Sequence, residues 1–205
     1  MNEDLMSILQ NGENETIEFL TNIEDELTIA KIASSFANTN GGSLFVGVRK
    51  NGKIAGTEPS ESFSLISNAI DNYCSPSLEF ESAIYQLDFK IILEIKIQKS
   101  TYIHKVIDIN KPKIYIRYNN FSLEANTVLK RYLELNKKNV SINAIEELQP
   151  LLNILKNEDF LSITQLVKKI LYKREKVEIQ LAQLLHLNKI EIVLLDGGFN
   201  YRIKN

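Results

Sequence analysis

The sequence predicts an α+β protein: a mixed α/β sheet with flanking helices, followed by a small helical domain that ends in a hairpin. Three observations carry this. The first is the stretch Phe36-Ala37-Asn38-Thr39-Asn40-Gly41-Gly42-Ser43-Leu44-Phe45-Val46-Gly47-Val48, where helical apolar spacing stops, a polar glycine pair intervenes and a short apolar run begins. The second is a series of short strand patterns between residues 79 and 118. The third is the order helix, helix, helix, hairpin after residue 140.

The elements follow in order. A short helix is expected near 3–10 and a strand near 16–20. Ile29, Ala30, Ala33, Phe36 and Ala37 recur at helical spacing, so 25–38 reads as a helix, with Asp25 or Glu26 favourable at its positive end. Asn38, Asn40, Gly41 and Gly42 tolerate positive φ and end it. Leu44 to Val48 reads as a strand covered on both faces, and Asn51-Gly52 predicts a hairpin pairing 43–49 with 52–56. Phe63, Ile66, Ile70 and Tyr73 make 60–74 a helix opened by Ser60 or Ser62. Strands are expected at 79–86 and 89–98, then at 105–109 and 113–118 through Asn110-Lys111-Pro112, and a helix over 122–136 closes the domain.

Lys137-Lys138-Asn139 is a polar stretch suited to a linker, which sets domains at 1–137 and 140–205. The second domain shows a stripe of Ile145, Leu148, Leu152 and Leu155 over 142–156, a serine-capped helix at 162–170, and a helix from Glu175 to Leu187. Ile190 to Leu195 and Phe199 to Ile203 flank an Asp196-Gly197-Gly198 turn. This order resembles a winged helix-turn-helix.

Composition narrows the function. Of 205 residues, 44% are hydrophobic and 24% charged, which is ordinary for a globular chain. No apolar stretch reaches the length of a membrane span, and the polar, acidic start is unlike a signal peptide. The single cysteine, Cys74, has no internal partner and reads as a buried thiol, so a reducing, cytoplasmic location is expected. Net charge is −2; residues 1–140 hold 15 basic and 18 acidic side chains, the remainder 9 and 8. A binder of nucleic acid so nearly neutral must work through local basic patches.

The segment AFANTxGGxLxxGV, with the Gly52-Lys53-Ile54-Ala55-Gly56 hairpin after it and Glu13-Asn14-Glu15-Thr16-Ile17-Glu18-Phe19 before it, resembles the Schlafen/Alba-like DNA-binding domain family. The likeness continues through Ser75-Pro76 and Ile114-Tyr115-Ile116-Arg117-Tyr118-Asn119-Asn120 and covers roughly residues 11–135. It implies nucleic-acid binding. In the members with ribonuclease activity it also implies a metal-binding triad of two glutamates and an aspartate. Glu13 and Glu18 match the glutamates, but Arg49 or Lys50 stands where the aspartate belongs, and Leu20 replaces a usual lysine. Two carboxylates beside a cation make a poor divalent-metal site.

No cofactor is expected. Gly41-Gly42 follows a helix rather than preceding one, so it sits at the negative end of the dipole, and neither GxxxxGK[ST] nor GxGxxG occurs. Metal ligands are not expected either, since His104 has no metal-like partner and His186 lies in the other domain among apolar neighbours. Nucleic-acid contacts are assigned to Lys105 and to Lys113, Tyr115 and Arg117, which share one strand face by period two. Lys168, Lys169, Lys173, Arg174 and Lys176 concentrate positive charge at the junction of the second and third C-terminal helices. Asn38, Gly41, Gly42 and Gly47 form the structural motif. The expected function is nucleic-acid binding, DNA or RNA, as a DNA-binding transcriptional regulator working as a homodimer. The alternatives are a divergent metal-dependent ribonuclease and a non-catalytic module for protein contacts.

Overall fold

The structure is a computed structural model of the chain, and it describes residues 2–109, 111–142 and 145–204. Two compact units are present, one ending at Ala125 and one beginning at Asn126. In the described residues no helix is long and apolar enough to cross a membrane.

The first unit holds two four-stranded sheets and three helices. Helix α1 (Asn2–Asn11) leads to β1 (Ile17–Leu20), α2 (Glu26–Asn38) and β2 (Gly42–Val46). Helix α3 (Pro59–Tyr73) runs into β3 (Cys74–Ser75), and β4 (Phe80–Leu87), β5 (Lys90–Ile97), β6 (Lys105–Asp108), β7 (Lys111–Tyr118) and β8 (Phe121–Glu124) follow. The sheets run β1-β2-β5-β4 and β3-β6-β7-β8. β1 and β2 are parallel, as a helical crossover requires, and the other pairs are antiparallel.

Alternation divides the first sheet between two cores. Phe19, Phe45 and Ile92 pack against Leu5 and Leu9 of α1. Leu44, Val46, Leu93, Ile95 and Ile97 pack on the other side with Ile29, Ala33 and Phe36 of α2 and Ile66 and Ile70 of α3. Both faces are therefore covered, as the apolar run at 44–48 predicts. Asp25 caps α2, accepting from the Leu27 and Thr28 N–H groups, and the Thr28 hydroxyl is the leading cause holding its carboxyl below the usual range. Cys74 is buried with its thiol pushed up to about 12 by desolvation, so it stays protonated and inert at neutral pH.

Four local expectations are corrected. Residues 52–56 form no strand; the Asn51-Gly52 turn closes, but its pairing shrinks to one bridge, Val48 with Ile54. Helix α3 is capped by Glu58 with Pro59 in its first turn, not by Ser60 or Ser62. Residues 121–124 are strand β8 rather than the start of a helix, because α4 (Thr127–Lys138) begins after the Asn126 cap. Asn38 and Asn40 lie outside the positive-φ region, and Gly41 alone takes the left-handed turn, at φ 77°.

The second unit runs from α4 through a 3₁₀ turn (Ile145–Leu148), α5 (Gln149–Lys156), β9 (Leu161–Ser162), α6 (Ile163–Ile170) and α7 (Arg174–His186) to β10 (Ile190–Leu195) and β11 (Gly198–Ile203). Its three strands are ordered β10-β11-β9. The expected boundary at 137–140 moves ahead of α4, because Val128, Tyr132 and Leu135 of that helix pack into the core of this unit with Val177, Leu181 and Tyr201. Ser162 and Gln165 form a reciprocal capping box that starts α6. The single helix expected over 142–156 begins partly outside the described residues and is otherwise a 3₁₀ turn ahead of α5, which has Pro150 in its first turn.

Candidate functional site

Glu18 sits on β1 between Ile17 and Phe19, and it does not point to solvent. It is 6% exposed, because the face it shares with Leu20 is the one α2 and the second sheet cover. Glu13 precedes the strand, and its Oε1 accepts the Phe19 N–H at 2.9 Å. Lys50 arrives from the loop after β2. Gly47, at φ 92°, turns the chain there, its N–H donating to Leu20 and its carbonyl accepting from Ala55 and Gly56. A Cβ at Gly47 would come within 2.9 Å of the Ile91 carbonyl, so glycine is needed for space as well as for φ.

The Lys50 ammonium lies 2.6 Å from Glu13 Oε1 and 2.6 Å from Glu18 Oε1. Partial burial acts to lower its pKa, but the hydrogen bonds it donates to the two carboxylates, with their charge, outweigh this and hold it above the ordinary lysine value. On the inner side Arg117 Nη2 is 2.6 Å from Glu18 Oε2. That contact is ionic rather than a directed hydrogen bond, since Nη2 donates to the Asn14 and Ile17 carbonyls and Glu18 Oε2 accepts none. Nη1 reaches the Ser122 hydroxyl, and the guanidinium stacks 4.8 Å above the Phe36 ring. Two carboxylates are thus closed between two cations.

A divalent metal needs several oxygen ligands converging on one point, and here the ammonium fills that point. Among the described residues no three His, Cys, Asp or Glu side chains are placed to share a metal. The residues present do not fit the metal triad that the ribonuclease resemblance implies. We expect incubation with Mn²⁺ or Mg²⁺ to leave single-stranded and structured RNAs intact on a gel. Cleavage that vanishes in Glu18→Ala would contradict this.

The binding face expected on β7 is corrected. Lys113, Tyr115 and Arg117 do share a face, but it turns inward: Tyr115 is 7% and Arg117 2% exposed. Burial raises the Tyr115 pKa above the usual tyrosine value, and Arg117 serves as the buried counter-ion of Glu18. Lys113 stays at the margin, paired with Glu124 at 3.1 Å. Lys105 is exposed but sits on the opposite face, since the register places it across from Ile114 and places Lys113 across from Val106. No basic stripe joins them.

In the second unit the cations do converge. Lys168 and Lys169 end α6, Lys173 immediately precedes α7, and Arg174 and Lys176 lie in its first turn, all exposed. Lys169 pairs with Glu158, Arg174 with Glu178 at 3.0 Å, and Lys176 lies 4.2 Å from the Tyr172 ring centre. Among the described residues Lys168 and Lys173 have no ion-pair partner.

The structural motif has one member whose role the sequence does not suggest. Asn38 is 1% exposed; its amide donates to the His104 and Tyr115 carbonyls at 2.8 and 2.9 Å, and its Oδ1 accepts the His104 N–H at 2.8 Å. It clamps the end of α2 to the second sheet. A Cβ at Gly42 would stand 2.6 Å from the Phe36 ring and 2.7 Å from the Thr16 carbonyl, and at Gly41 2.8 Å from the Ile97 carbonyl. The glycine pair is what lets β2 lie this close to α2 and its neighbours.

A helix ended by a clamping asparagine, a glycine pair and a buried strand, beside a sealed pair of glutamates, define a mixed-sheet domain of a recognisable kind. The family model described as Schlafen, AlbA_2 matches residues 13–126, more than half of the chain, and the chain belongs to that family. Among solved structures, the DIP2311 protein from Corynebacterium diphtheriae is similar at 15% identity and a TM-score of 0.48, over 66% of this chain and 28% of that one. This chain thus spans well under half the length of that protein. The comparison with curated proteins gives no match.

Proposed function

We propose that this chain is a nucleic-acid-binding protein, working as a DNA-binding transcriptional regulator in the cytoplasm. Family membership supports the general reading. The cluster of exposed cations at the α6–α7 junction carries the finer one. The order α5, β9, α6, α7, β10, β11, with β11 between the other two strands, resembles that of a winged helix-turn-helix and supports the reading, since in that motif the third helix enters the major groove. The open side of α7 offers Lys176, Ile179 and part of Gln183, with Glu175 at its margin. Lys168 and Lys173, free of acidic partners, are the natural phosphate contacts. Their removal together (Lys168→Ala with Lys173→Ala) is expected to weaken duplex binding for all sequences alike and to flatten the salt dependence by about two units. A gel-shift series in which the double variant matches the parent would count against the assignment.

A homodimer is part of this reading. The α6–α7 cluster of one protomer offers few cations without an acidic partner, and a two-fold pair doubles the contacts in one encounter. Among the described residues β10 is an end strand of its sheet, and Val193 and Leu194 on it are half-buried. Light scattering at micromolar concentration is expected to give twice the 23.4 kDa of one chain. A single-chain mass would remove the dimer.

A further inference from the structure

A cavity of about 480 Å³ opens in the first unit between segment 76–79 and the loop 98–104. That size is within the range of small-ligand sites. Buried residues form its floor: Leu78 is 7% exposed and His104 4%. Its mouth is polar, with Glu79, Gln98 and Lys99 exposed around it. Tyr102 stands at one side with 69% of its surface exposed, and no ring contact or side-chain hydrogen bond of Tyr102 occurs among the described residues.

The loop bearing this tyrosine is neither helix nor strand, yet it is pinned throughout. The His104 ring spans the cavity floor, with Nδ1 2.8 Å from the Pro76 carbonyl and Nε2 2.7 Å from the Ser100 hydroxyl. The same hydroxyl accepts the Tyr102 N–H at 3.0 Å. The Ser100 N–H donates to Ala37, and both backbone groups of His104 are held by Asn38. Segment 76–79 is tied as well, through Ser77 to Asp71 at 3.1 Å. With the backbone that carries the ring already held beside a preformed recess, only the Tyr102 side chain itself must be ordered when a flat ligand stacks on it.

We propose that this recess binds an unpaired nucleobase of a single-stranded nucleic acid. Tyr102 would stack on the base, Lys99 would meet a neighbouring phosphate, and Gln98 and Glu79 would face the base edge. A flat ring against an exposed tyrosine, a cation within the same loop, and an amide and a carboxylate at the rim are the contacts that unstacked bases use. A duplex cannot use the recess, since its bases are stacked on their neighbours and their faces are covered. This assignment rests on the nucleic-acid reading of the chain, and it adds to the duplex contacts of α7 a second, base-accepting site on the family-matched unit.

The test is fluorescence anisotropy with labelled 12-nucleotide single-stranded DNA and RNA, and with a duplex of the same length, on the full chain. Tyr102→Ala should weaken single-strand binding about tenfold or more and leave duplex binding unchanged. Tyr102→Phe keeps the ring and should bind like the parent. Lys99→Ala should flatten the single-strand salt dependence by about 0.7. Single-strand binding by Tyr102→Ala equal to the parent overturns the site. So does a parent that binds the duplex but no single strand, which leaves the wider reading standing. A parent that binds neither overturns both.

Discussion

Replacing Arg117 with alanine is expected to cost the first unit about 3–5 kcal/mol, the largest loss for a single charge here, because it leaves a buried carboxylate without its counter-ion. Glu18 would keep Lys50, but that lysine side chain is 61% exposed and sits on the solvent side, while Oε2 faces inward. The Asn14 and Ile17 carbonyls would lose their guanidinium donor and the Phe36 ring its cation. Urea denaturation at neutral pH measures the effect. The double variant Arg117→Met with Glu18→Gln should recover much of the loss, because no ion is then left uncompensated. A loss below about 1 kcal/mol for Arg117→Ala would mean that the pair is well hydrated and the burial argument wrong.

Asn38→Ala is expected to cost about 3 kcal/mol or more. It strands the N–H and carbonyl of His104 and the carbonyl of Tyr115, all in dry surroundings, and each unsatisfied buried group costs about 1–3 kcal/mol without strict additivity. Asn38→Asp should be at least as damaging although it is nearly isosteric, since its carboxylate would face two carbonyls in place of the amide donor. Hydrogen exchange at His104 reports on the clamp directly. If Asn38→Asp melts like the parent in urea, the amide is not what holds α2 to the second sheet.

The elements of this fold were largely legible, and the reasons for the exceptions are local. The glycine-paired corner, the buried β2 strand and the serine cap of α6 each follow from residue types whose backbone preferences are strong. β8 was not legible because Ser122 and Glu124 look like a helix start, while the true cap, Asn126, lies four residues later. The site was half legible. Lys50 beside the two glutamates could be read from its place in the motif. Arg117 could not, since period two gives only that Lys113, Tyr115 and Arg117 share a face, not which face is covered. Ile116 on the other side is buried too, so period two alone does not say where the guanidinium goes, and only the pairing of β7 against β6 and β8 above α2 decides it. Asn38 reads in the sequence only as a helix stop, because its side-chain partners are 66 and 77 residues away.

Filter binding of DNA and RNA across a salt series, beginning at roughly 50 mM, tests the central claim most directly. The account predicts measurable retention at low salt, with log affinity falling linearly as log salt rises and a slope that corresponds to the few cations of the α6–α7 cluster. Absence of binding to every DNA and RNA at the lowest salt would contradict it and leave a module for protein contacts in its place.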